Sequence, residues 1–221
     1  MYRLVYNLVE RRNRMRTGRP RQFDRDEAVR QAMHLFWDRG YDSTSLSQLK
    51  SAIGNGITAP SFYAAFGSKE KLFQEAVACY LQSHGRVTEA LWQDELPPRD
   101  AIESTLLRSA RMQCADDHPK GCMVTLGLMS VSTDEHKYLL SPLEQSRKKT
   151  CDGFIHCVNR GLLSGELAAG TSAKTLGLTF NSFLTGVSTL ARDGVPFDDI
   201  ERSIGQVMRL WDGLVGDRKM G

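Results

Sequence analysis

Residues 24–73 read DRDEAVRQAMHLFWDRGYDSTSLSQLKSAIGNGITAPSFYAAFGSKEKLF, and this stretch decides the fold. It contains three short helical patterns joined by two tight connections, followed by the start of a fourth helix. In the first pattern, apolar residues recur at helical spacing while charged residues occupy the other faces. Three helices joined by connections this short predict a helix-turn-helix motif.

Capping residues mark the ends of the first two helices. Asp24, followed three residues later by Glu27, predicts a capping box at the start of the first helix, and Gly40 ends that helix. Ser45 and Gln48 repeat the pattern at the second helix. The boundaries of both helices therefore follow from the sequence.

The third helix follows a glycine-rich turn. Residues 54–56 read Gly-Asn-Gly and end the second helix, and Thr58 is placed to cap the third. Pro60 is tolerated in the first turn because the backbone N–H groups there have no helical partner. Phe62 and Phe66 share one side of this helix, and we expect both to pack in the core.

Small hydroxyl residues lie near the start of the third helix, beside basic groups. Thr58, Ser61 and Tyr63 belong to this helix, and Lys69 opens the next one. Hydroxyl side chains and free N–H groups at a helix start can hold a phosphate. The second member of a helix-turn-helix enters the major groove. The pattern therefore predicts that this part of the chain binds double-stranded DNA.

Four segments resemble the DNA-binding domain of the TetR family of bacterial repressors. They read GRPRQFD, LFWDRGYDSTSL, PSFYAAFGSKEKLF and AVACYL, and they lie within residues 18–83, about a third of the chain. Their order and spacing agree with the family. One departure is the turn reading GNGITAPS, which is about two residues longer than the commonest family spacing between the second and third helices.

The resemblance, combined with side-chain chemistry, implies roles within the DNA-binding domain. The residues expected to hold the phosphate backbone are Thr44, Ser45, Tyr63 and Lys69. The residues expected at base edges, or close to them, are Thr58, Ala59, Pro60, Ser61 and Ala64. Further contacts are expected from Arg19 and Arg21, which precede the first helix.

Positive charge is concentrated at the N-terminus. Residues 1–71 hold 13 Lys and Arg against 7 Asp and Glu, a net charge of +6, whereas the remaining 150 residues carry −3. This distribution favours a DNA-binding head on a body with another role. We expect residues 1–21 to form a flexible basic arm, because their polar, arginine-rich sequence cannot build a core. Either Met1 or Met15 can be the natural start.

Localisation follows from what the sequence lacks. No apolar stretch of useful length follows the N-terminal charges, which argues against a signal peptide. No run approaches the ~18 apolar residues of a membrane span. We therefore expect a cytoplasmic protein with no membrane partner.

The chain remains helical beyond residue 84. Helical patterns cover residues 99–115, 122–131, 134–163, 172–191 and 198–214. Pro142 either kinks the third of these helices or separates two. We predict an all-α chain, with a helix-turn-helix DNA-binding domain at residues 22–68 and a helical effector-binding and dimerisation domain at residues 69–221.

The last two predicted helices carry apolar residues on more than one face. The first reads LGLTFNSFLTGVSTLA, and the second reads RSIGQVMRLWDGLV. The stripe on the second helix consists of Ile204, Val207, Met208 and Trp211. In the TetR family, the corresponding pair forms a four-helix bundle with its twin, so the resemblance implies a homodimer and a palindromic operator. The alternative is an ordinary monomer core.

The resemblance places a small-molecule effector among the middle helices. In the family, the ligand changes the separation of the two DNA-binding heads, through its different affinity for the two states. The candidate lining residues are Trp92, Met112, Met123, Leu126, Met129, Phe154, Phe180 and Phe183. Such side chains suit a flat or hydrophobic effector, and core packing is the alternative for each. No fixed charge for a ligand is apparent.

Cysteine chemistry provides an alternative signal. The five cysteines are Cys79, Cys114, Cys122, Cys151 and Cys157, with no CxxC motif. His156 precedes Cys157, and His118 lies four residues before Cys122, so a thiol sensor or soft-metal site is an alternative. Buried cysteines that pack as hydrophobic residues are the simpler interpretation.

Catalysis has little support. The sequence contains no HExxH, GxSxG or GxxxxGK[ST] motif, and we expect neither an enzyme nor a bound cofactor. An architectural DNA-binding protein without an effector is a further alternative, but it would not need so large an apolar C-terminal region. The sequence thus predicts a homodimeric, ligand-released repressor of unknown effector and operator.

Overall fold

The protein is described here by a computed structural model covering residues 24–127 and 134–216. The predicted basic arm with Arg19 and Arg21 lies outside the described residues, as does the predicted ligand residue Met129. The described residues form nine α-helices and two 3₁₀ helices, and they contain no β-strand. The all-α prediction is confirmed.

The helices have the following bounds. In chain order, the α-helices are α1 (Arg25–Arg39), α2 (Leu46–Ala52), α3 (Ala59–Phe66), α4 (Lys69–Gln82), α5 (Pro98–Cys114), α6 (Met123–Gly127), α7 (Ser141–Leu163), α8 (Ala173–Arg192) and α9 (Phe197–Asp212). The 3₁₀ helices are His84–Trp92 and Asp134–Leu140. None of the described helices is both long and apolar enough to cross a membrane.

The N-terminal ends of the first helices are capped by side chains. The Asp24 carboxylate accepts hydrogen bonds from the backbone N–H groups of Asp26 and Glu27, which confirms the cap. The reciprocal half of the predicted box does not form, because the Glu27 carboxylate accepts from Arg30 instead. Ser45 and Gln48 form the complete capping box of α2. The predicted starts of α1 and α2 are therefore confirmed.

Pro142 separates two helices rather than kinking one. It lies in the first turn of α7, directly after the 3₁₀ helix Asp134–Leu140. At this position the missing N–H of proline removes no helical hydrogen bond.

One hydrophobic cluster holds the N-terminal head, which consists of α1 to α4, together. The buried faces of α1 to α4 meet in it, with Phe36, Phe62 and Tyr80 among the largest fully buried side chains. Met123 and Val124 of α6 belong to the same cluster. The first core is therefore shared between the head and an element of the body, which ties the two together.

A second cluster forms the body from α5, α7, α8 and α9. Phe154 and Phe180 lie in it with their rings 6.3 Å apart. Two glycines allow the helices to approach closely. A Cβ at Gly177 would lie 2.7 Å from Cγ1 of Ile155, and one at Gly161 would lie 2.7 Å from the Trp211 ring. Glycine is required at both crossings because no larger residue fits.

The apolar stripe predicted for dimerisation on the last helix is mostly internal. Ile204, Met208 and Trp211 are buried in the second cluster, and Val207 is half-buried against it. The Trp211 indole N–H donates to the Glu166 carboxylate at 2.9 Å. Ile204, Met208 and Trp211 therefore pack against their own chain, as the alternative of an ordinary core expects, and of the four residues only Val207 keeps an exposed part.

Candidate DNA-binding surface and ligand cavity

The turn between α2 and α3 positions the candidate recognition helix. It covers residues 53–58, in which Gly54, Asn55 and Gly56 have φ angles of +57°, +59° and +91°. These left-handed angles favour glycine and asparagine, which explains the Gly-Asn-Gly sequence. Gln31 of α1 accepts a hydrogen bond from the Gly54 N–H at 2.9 Å, so the lengthened turn is fastened to the first helix.

Arg25 fixes the other end of α3. Its Nε donates to the backbone carbonyl of Ala65 at 3.3 Å, and its guanidinium lies 5.3 Å from the centre of the Phe66 ring. The same guanidinium pairs with Glu75 of α4 at 2.7 Å, and this hydrogen bond is the main cause of the raised pKa of Arg25. No local pattern in the sequence predicts this role, because the partners of Arg25 are 40 and 50 residues away.

The outer face of α3 carries the predicted base-reading residues. Thr58 accepts a hydrogen bond from the Ser61 N–H at 3.3 Å and donates its hydroxyl proton to Ser61 Oγ at 3.0 Å. The Ser61 proton is then free to donate outward. The exposed residues of this face are Thr58, Pro60, Ser61, Tyr63 and Ala64, with Ala59 half-buried.

Two phenylalanines support this face from within. Phe62 is fully buried and Phe66 nearly so, which confirms that both are core residues. Tyr63, the neighbour of Phe62, is 51% exposed, and the two rings meet edge to face at 5.6 Å between centroids. The Tyr63 ring is thus supported by the core while most of it faces outward.

Of the two residues predicted to hold phosphate at the start of α2, only Ser45 is exposed. Thr44 is 0% exposed, and its hydroxyl donates to the Gly40 carbonyl at 2.7 Å. The prediction that the Thr44 hydroxyl contacts a phosphate is therefore wrong for this structure. Its hydrogen bond instead holds the connection between α1 and α2.

Lys69 lies at the first turn of α4 and is half-buried. Its ammonium group is 4.2 Å from the centre of the buried Tyr41 ring, a cation–π distance that restricts its position. Burial is the main influence on the pKa of Lys69, which it lowers, against the opposing effect of Asp42 and Glu70. The Lys69 ammonium group is therefore fixed against the Tyr41 ring and does not move freely in solvent.

The described part of the head is electrically balanced. Residues 24–71 contain six basic and six acidic side chains. The whole surplus of +6 therefore belongs to residues 1–23, which have seven arginines and one glutamate. The helices supply a shaped polar surface, while the charge that attracts a polyanion belongs to the segment before them.

Three histidines meet where α1 contacts the body. The His118 ring stacks on Trp37 at 4.6 Å and lies 4.6 Å from the His84 ring, which is 6.4 Å from His34. Burial, followed by the nearby His118 imidazole, lowers the pKa of His34 and of His84. We call His34, Trp37, His84 and His118 the junction cluster. The folded state therefore disfavours protonation of His34 and His84.

A cavity of about 60 Å³ lies in the body beside the head. It is surrounded by the end of α4, the first 3₁₀ helix and α5 to α8. Of the sixteen described residues lining it, ten carry a hydroxyl, amide or guanidinium group: Tyr80, Thr88, Ser109, Gln113, Thr125, Ser146, Arg147, Thr150, Asn181 and Thr185. The cavity is therefore more polar than the chamber predicted from the sequence.

Of the predicted ligand residues that the structure describes, only Met112 lines this cavity. Phe154, Phe180 and Met123 are instead buried in the two hydrophobic clusters. The remaining described predictions also lie elsewhere: Leu126 and Phe183 are half-buried, and Trp92 is exposed and stacks on His156. The sequence does not distinguish residues that line a cavity from residues that fill a core, because apolar residues recur at helical spacing in both.

The cysteine pattern singled out from the sequence does not converge on one site. Cys157 is buried and donates to the Leu91 carbonyl, and burial raises the pKa of its thiol to about 11. His156 pairs with Asp94 at 2.9 Å instead. Cys122 lines the cavity and accepts a hydrogen bond from the Tyr80 hydroxyl at 3.3 Å. In the described parts of the chain, no group of His, Cys, Asp and Glu is arranged to hold a metal ion.

Comparisons with known proteins agree with this arrangement. The sequence profile described as "Bacterial regulatory proteins, tetR family" matches residues 28–76. The chain is 31% identical over 201 residues to the HTH-type transcriptional repressor ComR of Escherichia coli (strain K12), covering 90% of this chain and 93% of ComR. It is 33% identical over 113 residues to the HTH-type transcriptional repressor BdcR of the same organism, covering 51% and 56%.

The fold is also shared with solved structures. A cysteine mutant of the TetR family transcriptional regulator CifR, in complex with a 26-bp double-strand operator DNA, is similar with a TM-score of 0.77 and 36% identity. The match covers 88% of this chain and 100% of that chain. The reduced form of NemR from E. coli shares the fold at 18% identity, with a TM-score of 0.65.

An exposed recognition helix on a packed helix-turn-helix, joined to a helical body with a cavity, defines a DNA-binding transcriptional regulator. Regulators of this class act by binding, and the similarity to ComR and CifR extends over nearly the whole described chain. The protein belongs to the TetR family of bacterial regulatory proteins.

Proposed function

We propose that the protein is a homodimeric repressor that binds a palindromic operator and is released by a small molecule in its cavity. It acts by binding rather than catalysis, in the cytoplasm. The observation that carries this proposal is the exposed outer face of α3, in which short polar side chains lie over a buried Phe62 and Phe66. A rigid helix with short side chains can approach base edges closely.

Phosphate and base contacts divide along this surface. Tyr63, Lys69 and Ser45 would hold the backbone, whereas Thr58 and Ser61 would read base edges. The first group lies at helix starts or projects outward, whereas Thr58 caps α3 and Ser61 lies in its first turn. Arg19 and Arg21, in the segment that carries the positive surplus, would add contacts from the arm.

The names of similar proteins support the proposal that this protein is a repressor. ComR and BdcR are called transcriptional repressors, and CifR has been solved with operator DNA. A repressor that competes with transcription needs only to occupy its operator and to leave it when the signal arrives. The proposed effector would supply that signal by binding one conformation more tightly than the other.

A physical path connects the cavity to the head. Tyr80 and Val124 line the cavity, and both belong to the hydrophobic cluster that holds α1 to α4 together. A ligand that moves either side chain therefore moves the packing of the head. Arg192 of α8 adds a second connection, since it donates to the backbone carbonyl of Asp38 at the end of α1.

The dimer would use the outer surfaces of α8 and α9. Leu178 and Leu190 of α8 and Leu210 of α9 are about 40% exposed or more, although each is a large apolar side chain. Gly186 and Gly205 leave open space on the same two helices. Small residues beside exposed leucines suit close helix packing across a two-fold axis.

Operator binding is tested by selection from a randomised duplex library, followed by footprinting on the intergenic DNA beside the gene. We expect enrichment of a palindrome whose half-sites lie about one helical turn or a multiple of it apart, roughly 34–36 Å per turn. Failure to enrich any sequence, or enrichment of a site without two-fold symmetry, would contradict the proposal.

The dimer is tested by sedimentation of a Leu210→Glu variant. A charge in an apolar interface is expected to give monomers with unchanged helix content by circular dichroism and much weaker operator binding. If Leu210→Glu remained dimeric, the α8–α9 surface would not be the interface.

A further inference from the structure

We propose that the cavity takes a compact organic carboxylate, held at its mouth by Arg147 and inside by Ser109 and Gln113. This inference rests on the proposed function only in treating that carboxylate as the effector. It departs from the flat, hydrophobic effector that the sequence predicts, because the residues that line the cavity differ from the predicted ones.

Ser109 supplies an unused hydrogen-bonding group inside. It lines the cavity, it is 2% exposed, and its Oγ has no hydrogen-bond partner among the described residues. Buried hydroxyl groups are normally paired, so an unpaired one at a cavity wall indicates a partner that is not part of the chain. A hydroxyl or carbonyl of a ligand would provide that partner.

Gln113 lies one helical turn further along α5 and is also 2% exposed. The hydroxyl of the buried Ser188 donates to Gln113 Oε1 at 2.7 Å. With Oε1 accepting this bond, the Nε2 group remains as a donor for the cavity. Ser109 and Gln113 together form a polar inner end on one helix.

Arg147 gives the cavity its charge. It is the only charged side chain among the described lining residues, which include no carboxylate. The described chain contains no ion-pair partner for Arg147, whereas the next residue, Lys148, pairs with Asp152. A planar guanidinium binds a carboxylate through two parallel hydrogen bonds. An anion is the ligand that this lining complements.

The volume restricts the size of the ligand. About 60 Å³ is well below the roughly 300–1,000 Å³ of a pocket for a drug-sized molecule. A short hydroxycarboxylate matches this space, with its hydroxyl at the inner end and its carboxylate at Arg147. A bulkier tetrahedral phosphate ester matches it less well.

The test uses two matched pairs of probes with the full-length protein: lactate with lactamide, and 3-hydroxybutyrate with 3-hydroxybutyramide. Binding is measured by calorimetry and by the shift in melting temperature. We expect at least one carboxylate to bind about tenfold more tightly than its neutral amide, the factor that a charged hydrogen bond provides. Glycerol 3-phosphate is included as a third kind of probe, which tests whether the cavity prefers a phosphate to a carboxylate.

Three variants assign the contacts. Arg147→Gln should abolish the preference for carboxylate over amide, whereas Ser109→Ala should weaken both members of a pair alike. Arg108→Gln is the matched control, because Arg108 is an exposed arginine of α5 that does not line the cavity, and it should retain the preference.

The outcomes separate the two proposals. Equal binding of acid and amide, no binding of any carboxylate, or tighter binding of glycerol 3-phosphate would overturn the proposed ligand class. Operator binding is measured separately on the same samples. A carboxylate that binds through Arg147 but leaves the operator affinity unchanged would support the site and contradict its role as the effector site. If the wild-type protein did not bind the operator in the absence of any probe, the proposed function itself would be contradicted.

Discussion

Replacing Tyr63 by phenylalanine removes one hydroxyl from each recognition helix and leaves the ring in place. Tyr63 is 51% exposed, and its hydroxyl has no hydrogen-bond partner among the described residues, so the fold loses nothing. A hydrogen bond to a charged acceptor contributes about 1.5 kcal/mol or more. Because a homodimer loses this bond twice, we expect about 3 kcal/mol, which weakens operator binding on the order of a hundredfold.

The assay is fluorescence anisotropy of a labelled operator and of an unrelated duplex, at about 0.1 M salt. A phosphate contact carries no sequence information, so Tyr63→Phe should weaken both complexes alike. Tyr138→Phe is the matched control, because Tyr138 is 58% exposed but belongs to the second 3₁₀ helix and not to the helix-turn-helix. Unchanged affinity of Tyr63→Phe for both duplexes would refute the assignment. Selective loss of operator binding would indicate base reading instead.

Four further predictions concern the head, the arm, the body and the junction cluster. Lys69→Gln should reduce the slope of log affinity against log salt by roughly 0.9 per half-site, whereas Tyr63→Phe should leave the slope unchanged, since only a cation releases counterions. Deleting residues 1–21 should flatten that slope further, and an unchanged slope would mean that the arm does not touch DNA. Gly177→Ala should lower the free energy of unfolding by about 1–3 kcal/mol in urea titrations, because its Cβ would meet backbone atoms of α7 at 2.9 Å; an unchanged value would contradict the described crossing. Burial lowers the pKa of His34 and His84, so the folded state resists their protonation. Their contribution to the free energy of unfolding is therefore complete above pH 6.5, the ordinary pKa of histidine, and is lost as the pH falls below that value. Equal stability at about pH 7.5 and about pH 5.5 would contradict this prediction.

Local signals in the sequence predicted the head well. The caps at Asp24, Ser45 and Thr58 depend on residues within three positions of one another, and all three are present. The helical spacing of the phenylalanines of α3 predicts that they are core residues, and they are buried. The prediction for Thr44 is wrong because its hydroxyl bonds to a carbonyl four residues earlier.

Long-range contacts limited what could be predicted for the body. Whether an apolar residue such as Phe180 lines a cavity or fills a core depends on neighbours far away in the sequence. The stripe on the last helix illustrates this, since Trp211 points inward to Glu166 and Gly161. Helical periodicity reveals that a face is apolar, but it does not reveal what covers that face.

The sequence by itself determined that this chain is helical, that it carries a helix-turn-helix, and that its positive charge lies before the first helix. Capping, periodicity and charge are local properties, so they can be read without a structure. Only the tertiary structure decided that Arg25 and Gln31 hold the recognition helix and that Arg147 lies at the cavity with an unpaired Ser109. These contacts join distant parts of the chain, and packing alone brings them together.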